Sequence, residues 1–249
     1  HATEAVRRVA STGVNVVGFD PDAEAVPAGA RLVVAPLVRS STGERVALER
    51  LAHEAHAIGA SLIADASLAV GAVPVDPEQL GADILVARSE AWLLGPEGLA
   101  ILAGRGVEAY GATTGFHLPS LVGFARGCGW LSMYVGLPWV HERGRRLTER
   151  LAGRLGAMSG VRLHTPESRA TTLAFSIDGW PAADALDELG RRVFLLAEAV
   201  PSIDAIRLGI GCWNTDDELD RLAEAVELLA THTPETLPRR APLTIFGDP

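Results

Sequence analysis

Two polar segments follow apolar runs of the sequence and could form a site. Asp65 ends the run Ser61–Asp65, and the segment Arg88–Trp92 begins where the run Ile84–Arg88 ends. Both runs are typical of buried parallel strands, and ligands of open α/β sheets bind at the carboxyl ends of such strands. We therefore expect Asp65 and Arg88–Trp92 at one rim, which is where a binding site would lie.

The basic residues of the chain limit the chemistry at that rim. All 22 of them are arginine, and the sequence contains no lysine. Arginine keeps its charge because its pKa lies above about 12, so it does not act as a neutral nucleophile. Chemistry that needs an amine side chain therefore cannot come from this sequence.

Cysteine and histidine give no strong metal or disulfide signal. Cys128 and Cys212 lie far apart, which indicates neither a disulfide framework nor a thiolate zinc site and favours a reducing cytoplasm. His53 and His56 could share a helix face and bind a metal, but no third ligand is evident nearby. We predict no metal site.

Charge and hydropathy exclude two classes of partner. The chain has 249 residues and a formal net charge of -9, without a basic block that would bind nucleic acid. Its apolar runs are much shorter than the roughly 20 residues of a membrane-spanning helix. The first residues also do not resemble a signal peptide, because acidic Asp20 and Asp22 soon follow. We expect neither nucleic acid nor a membrane as partner.

The first half alternates apolar runs with amphipathic segments, which predicts a parallel sheet covered by helices. Helical spacing over Ala47–Ile58 predicts the crossover helix of a βαβ unit. The predicted buried strands are Val14–Gly18, Arg31–Leu37, Ser61–Asp65 and Ile84–Arg88, and the alternating pattern ends after the apolar run Leu99–Gly104.

A stretch rich in Gly, Thr and Pro at Gly111–Pro119 predicts a transition between domains. We expect a partial large α/β domain over residues 1–115 and a smaller α+β domain over residues 116–249, with an extended proline-rich tail. Thr215 and Glu218 form a capping box that predicts the start of the last helix. The other elements predicted here are helices Trp139–Met158 and Ala182–Arg191 and strands Thr171–Ile177 and Ala205–Ile210.

Several segments together resemble the class V aminotransferases, both in their residue types and in their spacing. These aminotransferases are a fold-type I family that depends on pyridoxal phosphate. The family includes cysteine desulfurases, isopenicillin N epimerase-like proteins and C–S lyases. The resemblance spans roughly the whole chain and implies a mainly parallel large domain with a smaller C-terminal domain. The segments that carry it are Ser40–Gly43, Gly59–Ala66, Gly71–Asp76, Trp92–Gly98, Arg207–Gly211 and Asn214–Leu219.

The resemblance implies roles for single residues. Asp65 would keep the ring nitrogen of pyridoxal phosphate protonated, which makes the cofactor an electron sink. Arg207 would hold the carboxylate of a small amino acid substrate in a bidentate pair. Position 91 would carry the Schiff-base lysine. His1 lies where the family often has a residue that stacks on the cofactor ring.

Further contacts follow from the same resemblance. Arg88 and Ser89, just before position 91, would contact the cofactor. The loop Gly111–His117 resembles one from which family dimers contact the phosphate of the neighbouring subunit, which nominates Thr113 and Thr114 for cofactor binding and His117 for substrate binding; a plain linker explains the loop equally well.

The sequence departs from the family pattern at the site itself. Ala91 replaces the Schiff-base lysine, and Glu90 replaces a phosphate-binding histidine, with Arg88 as the nearby group that could neutralise it. Leu68 and Ser40 replace a glutamine and an asparagine. In other members, a further N-terminal part of the large domain precedes the first matching segment. A sheet without that part would have an open edge, and we expect another segment or chain to cover it.

Three functions remain open from the sequence. The first is amino acid chemistry of the C–S lyase, epimerase or aminotransferase type, for which this chain, with Ala91, should be inactive. The second is a non-catalytic homologue that serves as a binding or structural subunit, and Ala91 is either natural to such a homologue or replaces a lysine. The third is a protein that binds an unrelated phosphate ligand. By analogy, the family implies a homodimer or a heteromer with a chain that supplies the N-terminal part.

Overall fold

The computed structural model describes residues 10–20, 24–110, 115 and 117–238. Two four-stranded sheets organise this part of the chain. The first sheet has the order β1-β2-β3-β4 and the second has the order β5-β6-β8-β7. The mixed α/β architecture expected from the sequence is confirmed.

The first sheet is built from one βαβ crossover and an antiparallel return. β1 (Leu32–Pro36) and β2 (Ser61–Asp65) are parallel and are joined by α1 (Leu48–Ala57). β3 (Ile84–Arg88) is parallel to β2, and β4 (Ala100–Gly104) is antiparallel to β3. The short helix α2 (Pro77–Leu80) precedes β3, and a 3₁₀ turn, Val107–Tyr110, follows β4.

The prediction of a strand at Val14–Gly18 is wrong. Residues 14–20 have no regular structure, and Val14, Val16 and Val17 are exposed. A strand exists only when a neighbour accepts its backbone hydrogen bonds. Among the described residues, β1 pairs with β2 alone, so no strand lies beside its other edge.

The second half begins with a nearly continuous helical stretch. α3 (Leu118–Trp130) runs through a π-helical turn, Leu131–Val135, into α4 (Leu137–Gly156), and Gly136 with a positive φ separates the last two. The second sheet and its helices follow. They are β5 (Val161–Leu163), β6 (Thr172–Ile177), α5 (Ala182–Val193), β7 (Glu198–Val200), β8 (Ala205–Gly209) and α6 (Asp216–Ala230).

Each sheet has its own hydrophobic core. The first core packs α1 on β1–β3 and is rich in alanine, for example Ala52, Ala55 and Ala64. The second core packs α4, α5 and α6 on the second sheet with larger side chains, including Phe175. The capping box of α6 is present as predicted, with Thr215 and Glu218 each bonding to the other's backbone N–H.

The two sheets are joined at the loop that follows β1. The carbonyl of Thr42 accepts a hydrogen bond from the Thr165 hydroxyl, and the carbonyl of Gly43 accepts one from the Ala170 N–H at 3.1 Å. A Cβ on Gly43, whose φ is +77°, would lie 2.2 Å from the Thr172 carbonyl oxygen. Only glycine therefore allows this close approach.

The start of the tail contacts the second core. Leu237 packs against that core, and the Pro238 carbonyl accepts a hydrogen bond from Arg192 at 2.7 Å. Residues 239–249 lie outside the described part. Within the described residues, no helix is long and apolar enough to cross a membrane.

Candidate active site at the rim of the first sheet

Three strand ends meet at the rim predicted from the sequence. Asp65 lies beside Pro36 of β1 and Val86 of β3 in the strand register. Its carbonyl accepts a hydrogen bond from the Leu37 N–H at 2.8 Å, which fixes the loop after β1 next to β2. The parallel strand order thus brings Asp65, the loop after β1 and the end of β3 together.

The Asp65 carboxylate is held by the turn that follows it. Its Oδ1 accepts a hydrogen bond from the Ser67 N–H at 3.0 Å, and the carboxylate is partly buried. The buried Ser67 hydroxyl in turn accepts a hydrogen bond from the Arg88 N–H at 3.3 Å. These bonds connect the ends of β2 and β3 and fix the position of the Asp65 side chain.

The loop after β3 contains Ala91 and is closed by its own hydrogen bonds. Ser89 is fully buried, its hydroxyl donates to the Pro96 carbonyl, and its carbonyl accepts from the Gly95 N–H at 2.9 Å. Leu94 has a φ of +54°, a backbone conformation that strains a non-glycine residue. The Ser89 hydroxyl is therefore engaged within this loop.

The charged residues of this loop pair with each other. Arg88 Nη1 lies 3.0 Å from Glu90 Oε1, and both side chains are partly exposed. The pair neutralises the carboxylate that the sequence places where the family pattern has histidine. Arg88 thus contacts Glu90, as the sequence predicted for a neutralising group.

Arg207 reaches this rim from the second sheet. Its Nη1 donates a hydrogen bond at 2.6 Å to the carbonyl of Ser40, a residue of the loop after β1. Its Nη2 donates to the carboxylate of Glu198 on the neighbouring strand β7. The tertiary structure therefore brings Arg207 and the loop beside Asp65 together, although they are far apart in sequence.

Trp92 is the second contact between the rim and the second sheet. Its backbone lies over Gly71, where a Cβ would come within 2.7 Å of the Trp92 carbonyl oxygen. Its ring packs on Gly209 and is 5.8 Å from the Trp213 ring, centroid to centroid. The Trp92 indole N–H is buried without a hydrogen-bond partner.

The loop before α6 is fixed by Arg143. Its guanidinium donates to the carbonyls of Cys212 and Asn214 at 2.7 and 2.8 Å. Burial raises the pKa of the Cys212 thiol, which disfavours the reactive thiolate.

The remaining predicted site residues lie elsewhere or outside the described residues. His117 is exposed before α3, and its Nδ1 is 2.9 Å from the Ser120 hydroxyl of the same helix. His1, Thr113 and Thr114 fall outside the described residues, as do most of the residues of their loop. Their predicted roles stay predictions.

Sequence reasoning missed two groups of this rim. Glu198 lies on a short strand that was not predicted, and only the β7–β8 register places it opposite Arg207. The role of Trp92 in joining the sheets was also missed. The small residues Gly71 and Gly209, on which Trp92 packs, were the available signal.

A separate cleft of about 890 Å³ lies at the opposite end of the first sheet and includes His56, Asp83 and Arg105. His56 Nε2 is 2.9 Å from Asp83 Oδ2. Burial acts to raise the pKa of Asp83, but hydrogen bonds from the Leu62 N–H and His56 outweigh it and lower the pKa. Within the described ranges, no cluster of three potential metal ligands is present.

Comparison with known proteins agrees with the resemblance read from the sequence. Residues 5–114 match the family model described as aminotransferase class-V. No curated protein matches the chain significantly.

Solved structures share the fold over most of the chain. A cysteine desulfurase from Thermococcus onnurineus NA1 is 19% identical with a TM-score of 0.72, over 82% of this chain and 60% of that one. The cysteine desulfurase CsdA from Escherichia coli is 19% identical with a TM-score of 0.69, over 79% of this chain and 58% of that one. A variant of C-DES, described with glycine covalently linked to its PLP cofactor, is 16% identical with a TM-score of 0.71, over 81% and 61%.

These matches define the class of fold. The chain has the fold of the fold-type I cysteine desulfurases, and the resemblance to class V aminotransferases is confirmed. It spans about 60% of the length of the solved structures it matches.

Proposed function

We propose that this chain is a class V aminotransferase-like protein that takes a small amino acid as ligand and does not itself perform the covalent chemistry of that family. The observation that carries the proposal is Ala91, at the position where the resemblance puts the Schiff-base lysine, in a chain without any lysine. An alanine methyl group cannot form or exchange an imine.

The residues of the rim fit pyridoxal phosphate in one respect only. Asp65 lies at a strand end where a carboxylate could hold a protonated ring nitrogen. The side chains just before Ala91 are engaged by protein groups, since Ser89 bonds to the Pro96 carbonyl and Arg88 pairs with Glu90. Because position 91 also carries alanine and not lysine, covalently held pyridoxal phosphate does not fit this chain.

Arg207 supports a ligand with a carboxylate. Its guanidinium is anchored at the rim by the Ser40 carbonyl and lies in the same region as Asp65 through the loop after β1. A guanidinium binds a carboxylate through two parallel N–H···O bonds, which also orients the ligand. An amino acid is the ligand class that this arrangement favours.

The experiment that tests this function is an absorbance spectrum with pyridoxal phosphate before and after the substitution Ala91→Lys. We expect a band near the visible edge that survives dialysis in the variant and is absent in the unaltered chain. Ala157→Lys, at an exposed position after α4, controls for adventitious imines. A dialysis-resistant band in the unaltered chain would contradict the proposal, and cofactor retention by neither form would favour the subunit role described next.

A second candidate is a structural or binding subunit that joins another chain. The observation in its favour is β1, which has no pairing strand at its outer edge among the described residues and whose Leu32 and Val34 are 53% and 62% exposed. A homodimer, or a heteromer with a chain that supplies the N-terminal part of the fold, would cover them. Light scattering of the purified chain tests this, because a monomer at micromolar concentration would contradict a stable homodimer.

The two free cysteines support a cytoplasmic location.

A further inference from the structure

We propose that Glu198 competes from within the chain for the carboxylate-binding position of Arg207, so that a ligand carboxylate binds Arg207 only after Glu198 has been displaced. This inference rests on the proposed function, because it assigns Arg207 to the carboxylate of the amino acid ligand. Glu198 would then set the affinity and selectivity of the site.

In the structure, Glu198 and Ser40 both bind the guanidinium of Arg207. Glu198 and Arg207 are register partners on the antiparallel strands β7 and β8. Arg207 Nη2 donates to the Glu198 carboxylate, while Nη1 donates to the Ser40 carbonyl at 2.6 Å. A ligand carboxylate that approaches this guanidinium for a bidentate pair therefore meets a carboxylate already bound.

The exposures of the two side chains show which partner can leave. The Glu198 side chain is 66% exposed and the Arg207 side chain is 23% exposed. Exposed ion pairs contribute only about 0–1 kcal/mol, because water solvates both charges well. Glu198 also lies on a three-residue edge strand, so it can turn into solvent without disturbing the sheet.

The Ser40 contact keeps Arg207 at the rim when Glu198 leaves. The Ser40 carbonyl is neutral and belongs to the loop that is fixed to β2 through the bond between Leu37 and Asp65. The guanidinium therefore stays in place with one side uncovered. A small amino acid supplies a carboxylate of the same charge as that of Glu198, so the exchange leaves the charge next to the Arg207 guanidinium unchanged.

The test is calorimetric titration with L-alanine, using L-alaninamide as the probe that lacks the carboxylate. We expect Glu198→Gln to bind L-alanine about two- to fivefold tighter than the unaltered chain, which is the range that an exposed ion pair allows. We expect no gain for L-alaninamide. Glu224→Gln, an exposed glutamate on α6, is the matched control and leaves the affinity unchanged.

A second measurement does not depend on ligand binding. Phenylglyoxal modifies accessible arginines, and mass spectrometry of peptides gives the rate for Arg207. We expect this rate to rise in Glu198→Gln and to stay the same in Glu224→Gln, since Glu198 contacts the guanidinium and Glu224 lies on α6.

The outcomes separate the two proposals. Equal L-alanine affinities in Glu198→Gln and the unaltered chain, together with loss of binding in Arg207→Gln, would leave the proposed function standing and overturn the competition. If no form binds L-alanine, the proposed ligand is wrong, and the modification rate then decides alone. An unchanged rate at Arg207 in Glu198→Gln overturns the inference, and a faster rate supports the covering role of Glu198.

Discussion

The two sheets of this molecule differ in how completely they are covered. In the second sheet, β6 is buried at almost every position, and three helices pack on large side chains such as Phe175. In the first sheet, β1 alternates buried and exposed residues, so Leu32 and Val34 lie on an open face. Parallel sheets are normally covered on both faces. Among the described residues, the first sheet, which carries the Asp65 rim, is therefore covered less completely than the second.

The rim is built from residues of both sheets. Asp65 and Ala91 come from the first sheet, but Arg207 comes from the second. The loop after β1 joins them through Ser40 and Gly43. The position of Arg207 at the rim thus depends on the packing of the second sheet and on the junction at Gly43.

The largest effect is expected in the second core. Phe175→Ala removes a fully buried ring, and we expect a loss of about 3–5 kcal/mol in the free energy of unfolding. Urea denaturation followed by circular dichroism measures it. Leu196→Ala is the control, because that side chain is 95% exposed. A loss as small as that of the control would contradict a close-packed second core.

The next effect concerns the junction between the sheets. Gly43 and Gly59 have nearly the same φ, +77° and +75°, but a Cβ on Gly59 would meet no atom within 4 Å. Gly59→Ala should lose about 1–2 kcal/mol from the left-handed conformation alone. Gly43→Ala should lose about 1–3 kcal/mol more, because the new methyl strains the contact with the Thr172 carbonyl. Equal losses in urea denaturation of the two variants would show that the junction is not tight.

A smaller effect is expected at the start of α6. Thr215→Ala removes the side chain that accepts a hydrogen bond from the Glu218 N–H, and we expect a loss of about 1 kcal/mol. The midpoint of thermal unfolding reports it. Thr231→Ala, at the other end of the helix, should change stability by less than about 0.5 kcal/mol. A larger effect at Thr231 than at Thr215 would contradict the role of the capping box.

The smallest effect that we expect is a pH dependence of the stability of the fold, caused by two histidines near the second sheet. Burial lowers the pKa of His141, and burial together with nearby Arg162 lowers the pKa of His164. The unfolded chain therefore takes up these protons first as the pH falls below about 6.5, which destabilises the folded state.

We expect the melting temperature to fall between about pH 7 and pH 5 for this reason. Calorimetry of His164→Gln should show a shallower fall, whereas Leu196→Ala, an exposed position that does not titrate, should not change it. An unchanged slope in His164→Gln would exclude this histidine as a cause.

Much of the fold was predictable because its signals are local. The strands Ser61–Asp65 and Ile84–Arg88 were predicted to the residue, since buried parallel strands appear as short apolar runs between turn residues. The capping box of α6 is equally local. The strand at Val14–Gly18 was predicted wrongly because its apolar alternation says nothing about whether a pairing partner is present.

The sequence by itself determined that this chain has no amine side chain, that Ala91 follows a strand end near Asp65, and that the elements are those of an α/β protein. Only the tertiary structure decided that Arg207 reaches Ser40, that Glu198 occupies its guanidinium and that Trp92 packs on Gly209. The physical reason is that residue types and local periodicity are written in the chain, whereas contacts across two sheets depend on strand order and on the close approach at Gly43.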